Sequence, residues 1–259
     1  MQSQEGTRSE RARSFIELLD RIRIIDDEAA EEALLDELAR PERPFILSFV
    51  NAHAMNLGWN QPGMLEGLFR SDMLLRDGIG VKLGLKAFQR PFGRNMNGTD
   101  FIPRIARRFQ GRKVALFGTR SPWLDEARRK LEDMGLTIVA CQEGFDPPET
   151  YVQRAVETKP DLIIMAMGMP KQEEVSVKLR EALAHPVLIV NGGAILDYLG
   201  GKVPRAPAVM RQVGMEWLFR LAVEPKRLFR RYVVGIPVFF THVAEVKVVG
   251  EGEQPGGQA

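Results

Sequence analysis

The chain has 259 residues, 44% apolar and 27% charged, with 36 Lys and Arg against 34 Asp and Glu. That balance excludes a low-complexity chain and suits one large α/β domain, or one domain with a small appendage. A single cysteine, Cys141, excludes a disulfide framework and fits a reducing cytosol, and the three scattered histidines leave no cluster with zinc-ligand spacing.

Taken in chain order, residues 1–14 are polar and read as a disordered N-terminus, with no apolar run to suggest a signal peptide. Phe15 to Ile25 and Glu28 to Leu38 carry apolar residues at helical spacing. Phe45 to Val50 reads as the first buried strand and ends at Asn51. A helix-rich stretch runs to Leu75, and Asp77-Gly78-Ile79-Gly80 opens another helix through Phe88. Val114 to Gly118 is a strand with a turn glycine, followed by a helix from Pro122 to Met134 and a short strand from Leu136 to Ala140. Thr150 to Thr158 is helical.

Leu162 to Met167 is six apolar residues stopped by Gly168-Met169-Pro170, which reads as a buried parallel strand. Gln172 to Ala184 is its helix, and Val187 to Val190 is a last strand ending in Asn191-Gly192-Gly193. Short apolar strands alternating with helices imply a Rossmann-like, mostly parallel sheet flanked by helices.

The C-terminal part is different. Residues 202–247 hold nine Lys or Arg against three Glu, whereas residues 26–37 hold seven acidic residues and no basic one. Trp217, Leu218, Phe219, Leu221, Phe229 and Val233 interleave with the cations. Such a mixture fits an amphipathic segment on an anionic membrane surface, the favoured reading, with a helix packed on its own domain or at a homo-oligomer contact as the alternative. The expected layout is an α/β core over 15–207, a helical basic appendage over 208–249 and a disordered tail over 250–259. Val233 to Val249 is interrupted by His242, Glu245 and Lys247 and falls short of a membrane span.

Three strand ends carry small or polar residues that could meet at one edge: Asn51, Gly168 to Gln172, and Asn191 to Gly193. Glycines there would let backbone N–H groups approach a phosphate, although tight turns need glycine too. There is no GxGxxG motif and no Walker A lysine.

The chain resembles the WecG/TagA/CpsF family, glycosyltransferase family 26, of bacterial surface-polysaccharide assembly. The resemblance rests on FVNAHAM (49–55), DGIGVKLGLK (77–86), NGTDFIPRI (97–105), VALFGTR (114–120), DLIIMAMGMPKQEE (161–174), NGGAILDYLGGKVPRAP (191–207) and MEWLFRLAVEPKRLFRRY (215–232). It implies an inverting transferase that needs no metal ion or other cofactor. The donor would be a UDP-sugar carrying N-acetylmannosamine, its uronic acid or glucose. The acceptor would be a polyprenyl-diphosphate-linked sugar at the cytoplasmic face of the inner membrane, met by a peripheral protein.

By the same resemblance Asp77 is the catalytic base, although an Asp before two glycines could equally cap the helix. Gln172 matches an active-site glutamine, and Lys171 beside it is a candidate for the donor diphosphate. Arg220, Arg227 and Arg230 match tail arginines that assist the leaving group, yet arginines in such a tail could also face lipid headgroups. Asn51, Gly78, Gly98, Asp100, Gly168, Gly192, Gly193 and Asp197 match substrate-binding blocks, with Asp100 also able to cap the helix after it. Phe49 stands where the family has threonine, and His53 reads as structural.

The other classes are a nucleotide- or nucleic-acid-binding module and a non-catalytic membrane scaffold. No nucleic-acid motif is present, so a nucleic-acid partner is not expected. A scaffold would be expected to have lost Asp77, Gln172 and the tail arginines, which all stand.

Overall fold

The computed structural model describes residues 2–207, 209–210 and 215–252. Seven strands make one sheet: β1 (Ile22–Arg23), β2 (Pro44–Val50), β3 (Met73–Arg76), β4 (Lys113–Gly118), β5 (Thr137–Gln142), β6 (Leu162–Ala166) and β7 (Val187–Asn191). Their order is β1-β3-β2-β7-β6-β4-β5, and every pairing is parallel. The fold expectation holds. Its physical basis is visible in β6 and β7, where every residue is buried, so neither strand can alternate polar with apolar.

Helices cover both faces. The core helices are α1 (Gln2–Asp20), α2 (Glu28–Leu38), α3 (Ala52–Asn60), α4 (Pro62–Phe69), α5 (Ile79–Ala87), α6 (Gly98–Arg108), α7 (Trp123–Asp133), α8 (Pro148–Thr158), α9 (Lys171–Ala182) and α10 (Ile195–Leu199). The C-terminal part adds α11 (Glu216–Val223), α12 (Pro225–Phe229), a π-helical turn (Arg230–Val234) and α13 (Gly235–Gly252).

Leu47, Leu75, Leu116, Ile164 and Val190 point to the face covered by α2, α6, α7 and α10. Val50 and Leu74 meet α1, α3, α4, α5 and α13 on the other face, where Ile163 and Ile189 also meet α8 and α9. The connection after β2 therefore leads to one face and that after β7 to the opposite one. Because β2 and β7 are neighbours, a crevice must open at their carboxyl ends.

Three expectations need correction. Residues 2–14, expected to be disordered, belong to α1, where Ala12 joins the buried face with Phe15, Leu18 and Leu19. The helix expected to run to Ile25 stops at Asp20, and Ile22–Arg23 adds an edge strand beside β3. The stretch read as helix-rich to Leu75 contains β3, whose four residues are all buried. A strand this short has no period to detect, and burial on both faces erases alternation. Residues 253–259 of the expected tail lie outside the described residues.

The acidic run has its partners inside the fold. Glu31 and Glu32 of α2 pair with Arg94, Arg104 and Arg108, and Asp36 also pairs with Arg108. The α6 arginines balance α2, which leaves the basic C-terminal part uncompensated by it. Helix α13 has a double character. Val233 to Val249 was expected to fall short of a membrane span, but the continuous helical stretch is longer, and residues 230–250 are long and apolar enough to cross a bilayer by length and composition. Yet Phe239, Val243 and Val246 are buried in the core beside α1 and α5, and His242 stacks on Trp59 at 4.3 Å. A side chain at Gly84 would strike the Phe239 ring at 2.8 Å, so glycine there lets α13 seat closely.

Candidate active site

A cleft of about 1520 Å³ lies over the carboxyl ends of the central strands. It is lined at β3 by Asp77 and Gly78, at β2 by Asn51, at β7 by Gly192 and Gly193, at β6 by Gly168 and at β4 by Thr119. These residues come from segments far apart in sequence. Parallel pairing brings them to one edge because each strand ends at the same side of the sheet.

Asp77 leaves β3 with its backbone N–H donating to Val50 O at 2.8 Å. Asn51 Nδ2 donates to Asp77 Oδ2 at 3.3 Å, while Asn51 Oδ1 caps α3 by accepting from Ala54 N at 3.0 Å. Asp77 is therefore not the cap of α5. That position belongs to Gly78, whose φ of +86° no bulky side chain adopts readily, with open space where its Cβ would stand. Burial pushes the Asp77 carboxyl above its usual range, against the Asn51 hydrogen bond and the charges of Arg231, Arg220 and Arg76. Buried Arg76 holds the turn by donating to Gly78 O at 2.9 Å, Phe92 O at 2.7 Å and Gly93 O at 3.1 Å. Asn95 completes it by accepting from Gly78 N at 2.7 Å.

Gln172 and Lys171 behave differently from each other. Gln172 is fully buried under the cleft, where its Oε1 accepts from Gly193 N at 3.0 Å. It sets the glycine turn after β7 and orders the floor. Lys171, expected beside the donor diphosphate, turns away from the cleft. Its Nζ donates to Gly144 O at 3.0 Å and Asp146 O at 2.7 Å, with the Tyr151 ring 5.4 Å away. Two carbonyls and an aromatic face give the ammonium a ready-made seat, so the charge is spent on the loop after β5.

Beneath the floor runs a buried polar chain. Asn191 Nδ2 donates to Ser48 Oγ at 2.9 Å, Ser48 Oγ meets Ser71 Oγ at 2.8 Å, and Ser71 Oγ donates to Gly67 O at 3.1 Å. It pins β7 to β2 at the crevice. Glu173, next to Gln172, is also buried, and accepts from Gln172 Nε2 at 2.8 Å through Oε1. Its Oε2 has no hydrogen-bond partner, and burial raises its pKa to about 7. The folded protein thus keeps a proton that the unfolded chain releases near pH 4.5. Stability should fall as pH rises from about 4.5 to 7, by roughly 3 kcal/mol in all. Glu173→Gln should flatten that slope in thermal melts at pH 5 and 8. Equal slopes in both proteins would show that Glu173 ionises freely.

The C-terminal part closes the cleft. Glu216, Trp217, Arg220, Arg230, Arg231 and Tyr232 line it opposite the strand ends. Asn97 Nδ2 donates to Glu216 Oε2 at 2.9 Å, and Asn56 Nδ2 to Gly235 O at 2.6 Å. The Arg220 guanidinium sits 5.4 Å from the Tyr198 ring centre, and its Nε is buried without a hydrogen-bond partner. Arg231, not Arg230, is the tail charge that bears most on Asp77, and it also helps burial lower His53 to about 4. His53 is therefore neutral in the cleft. Arg230 lines the cleft from an exposed position. Arg227 falls within α12, and its side chain lies outside the described residues.

At the other end, Asp197 accepts from Thr119 Oγ1 and pairs with Lys202 Nζ at 2.9 Å. Asp100 pairs with Arg205 at 2.6 Å on the cleft rim, and the cap of α6 is Asn97, not Asp100. Gly98 packs near Phe49, where a Cβ would come within 3.5 Å of the ring. Thr119, Arg120, Phe145, Tyr198 and Glu216 were not expected at the site, whereas the spacing of seven and four that joins Arg220, Arg227 and Arg231 already offered Arg231 as a charge for the diphosphate. Thr119 and Arg120 follow a strand-end glycine, the same signal that marked Gly168 and Gly192. Glu216 carried no such mark, because only the docking of the tail brings it to the cleft, and Tyr198 lies inside α10, one helical turn past the glycines that close β7.

Together these features suit an extended anionic ligand: glycine turns below, arginines above, and a carboxylate of raised pKa at one end. The family model described as "Glycosyl transferase WecG/TagA/CpsF family" matches residues 18–251. Curated relatives from Staphylococcus aureus strains NCTC 8325 / PS 47, COL and MRSA252 are each 27% identical over 202 residues, covering 76% of this chain and 78% of theirs. They carry the name N-acetylglucosaminyldiphosphoundecaprenol N-acetyl-beta-D-mannosaminyltransferase.

Proposed function

The chain belongs to the WecG/TagA/CpsF family of glycosyl transferases, and on that premise we propose that it moves a sugar from a UDP-sugar to a polyprenyl-diphosphate-linked sugar, with inversion. The observation that carries this reading is Asp77, its pKa raised, facing Arg220 and Arg231 across a glycine-lined cleft. In a direct displacement the acceptor hydroxyl oxygen bonds to the donor's anomeric carbon as the bond from that carbon to the diphosphate breaks. Asp77 takes the hydroxyl proton. Arg220, Arg230 and Arg231 stabilise the charge that grows on the departing UDP, for which planar guanidinium groups suit phosphate oxygens. Asn51 orients Asp77 by hydrogen bond, and Gln172 shapes the floor through Gly193.

The relatives' name makes N-acetylmannosamine the first donor sugar to test, and N-acetylglucosamine on the lipid diphosphate the first acceptor. A screen of UDP-sugars for UDP release, run with a short-chain polyprenyl-diphosphate-sugar, tests the reading. Acceptor-dependent release with one donor supports it. No release with any donor, from folded protein, would sink it.

The acceptor's lipid requires a bilayer within reach. Leu218, Val223, Phe229, Val233 and Val234 are exposed on the tail near Lys226 and Arg230, which supports peripheral docking on the cytoplasmic face of the membrane. Each cation near an anionic surface contributes about 1 kcal/mol. Flotation should therefore recover the protein with anionic vesicles at low salt and lose much of it at high salt. Protein left at the bottom of the gradient under both conditions refutes the docking.

A further inference from the structure

We infer that Glu216 and the Tyr198 hydroxyl form a sugar-reading pair, which takes up a hydroxyl or amide N–H of a sugar bound at the Asp77 end of the cleft; this rests on reading the cleft as a sugar-transfer site. The tail then supplies specificity as well as positive charge.

Buried polar atoms are nearly always hydrogen-bonded, because removing them from water is otherwise uncompensated. The wall where α10 meets the tail departs from that rule. Glu216 Oε1, the Tyr198 hydroxyl and Arg220 Nε are all buried without a hydrogen-bond partner among the described residues, and all three residues line the cleft. They come from two separate helices, α10 and α11. The Arg220 guanidinium lies 5.4 Å from the Tyr198 ring centre, and the charges of Arg220 and Glu216 both bear on the Tyr198 hydroxyl. The three groups therefore share one corner of the cleft.

That corner is anchored. Glu216 Oε2 accepts from Asn97 Nδ2 at 2.9 Å, while Asn97 Oδ1 caps α6 by accepting from Thr99 N at 2.8 Å. One carboxylate oxygen is thus tied to the core and the other is left open. Asn97 follows Met96, whose N–H donates to Arg76 O at 2.9 Å, next to Asp77. Glu216 consequently stands near the base, where the sugar ring lies in the proposed displacement.

Chemistry narrows the ligand. A carboxylate only accepts, so Oε1 suits a hydroxyl or amide N–H and repels a phosphate oxygen. Burial pushes the Tyr198 hydroxyl up to about 12, which keeps it protonated and able to donate to a sugar oxygen. With Arg220 beside them on the diphosphate, these two groups are left for the sugar that a diphosphate carries. Donor and acceptor sugars both offer such groups, and separate titrations distinguish them.

The test uses Tyr198→Phe and Glu216→Gln in the full chain, titrated calorimetrically with UDP and with UDP-N-acetylmannosamine, alongside the KM for donor and for acceptor. Tyr198→Phe deletes a hydroxyl that has no protein partner and keeps the ring beside Arg205 and Arg220, so it should melt at the parent temperature or above. Glu216→Gln keeps the shape and an oxygen for Asn97, but turns the open atom from acceptor to donor. Both variants should bind UDP as the parent does. If the sugar is the donor's, each should weaken UDP-N-acetylmannosamine and raise the donor KM by roughly tenfold. If it is the acceptor's, the acceptor KM should rise by that factor while both nucleotides bind as before. Either result supports the pairing and identifies its sugar. Equal weakening of UDP and UDP-N-acetylmannosamine overturns it, as does a loss confined to kcat, or affinities and KM values that all stay at the parent level. If the unmodified protein binds no UDP and transfers no sugar, the sugar-transfer reading itself fails and this inference with it.

Discussion

Asp77→Asn should lower kcat by about a hundred- to ten-thousandfold, the usual contribution of a positioned general base, while leaving UDP affinity near its original value. The substitution keeps the side chain's shape and an oxygen able to accept from Asn51. It removes a charge that the fold holds at a cost, since burial raises the Asp77 carboxyl above its usual range. The variant should therefore melt at the same temperature as the parent or higher, as expected where a site trades stability for activity. The sign for pH follows. Asp77 must be ionised to accept a proton, so kcat/KM should rise with pH through a limb above the ordinary carboxylate range. A folded Asp77→Asn protein turning over at the parent rate would remove Asp77 from the chemistry.

Arg231→Ala should lower kcat by about a hundred- to a thousandfold, the scale for losing one preorganised donor at developing charge. The same change should also act on the base. The charge of Arg231 helps hold the Asp77 carboxyl down against burial, so its loss should move the acidic limb of the pH profile upward. It should likewise relax His53, which burial and Arg231 together hold near 4. Arg231→Lys should restore the limb more fully than kcat, because an ammonium supplies charge without the bidentate fork. Unchanged kcat together with an unshifted limb would show that Arg231 serves only the tail's own packing. Arg220→Ala should show the same kinetic loss with a smaller shift, since Arg220 ranks below Arg231 in its effect on Asp77.

Both predictions depend on the tail being seated. Its seat uses Phe239 against Gly84, the hydrogen bond from Asn97 to Glu216 and the stack of His242 on Trp59. These contacts join residues more than a hundred positions apart, and no pattern within the tail announces them. The apolar residues could be read as a membrane face or a packing face. The structure divides them: Phe239, Val243 and Val246 are buried, while Phe229, Val233 and Val234 stay exposed.

Much of the architecture was legible in one dimension. A strand buried on both faces must be largely apolar, so β2, β4, β6 and β7 stood out as apolar runs, with Ser48 the one polar residue inside β2, and the residues closing them necessarily lie at one sheet edge. That reasoning placed Asn51, Gly168, Gly192 and Gly193 correctly at the cleft. It passed over β3, whose four residues are too few to show a pattern, although the Asp77 that ends it is the residue on which the proposed chemistry turns. It also failed at Lys171, which sits at a strand end but faces the carbonyls of Gly144 and Asp146. Sequence pattern assigns a residue to an end of the sheet because hydrophobic periodicity is local. The direction in which its side chain points is set by partners supplied from other segments. Tertiary packing alone therefore turned Lys171 to the loop, brought Arg231 toward Asp77 and left Phe145 open at the far end of the cleft.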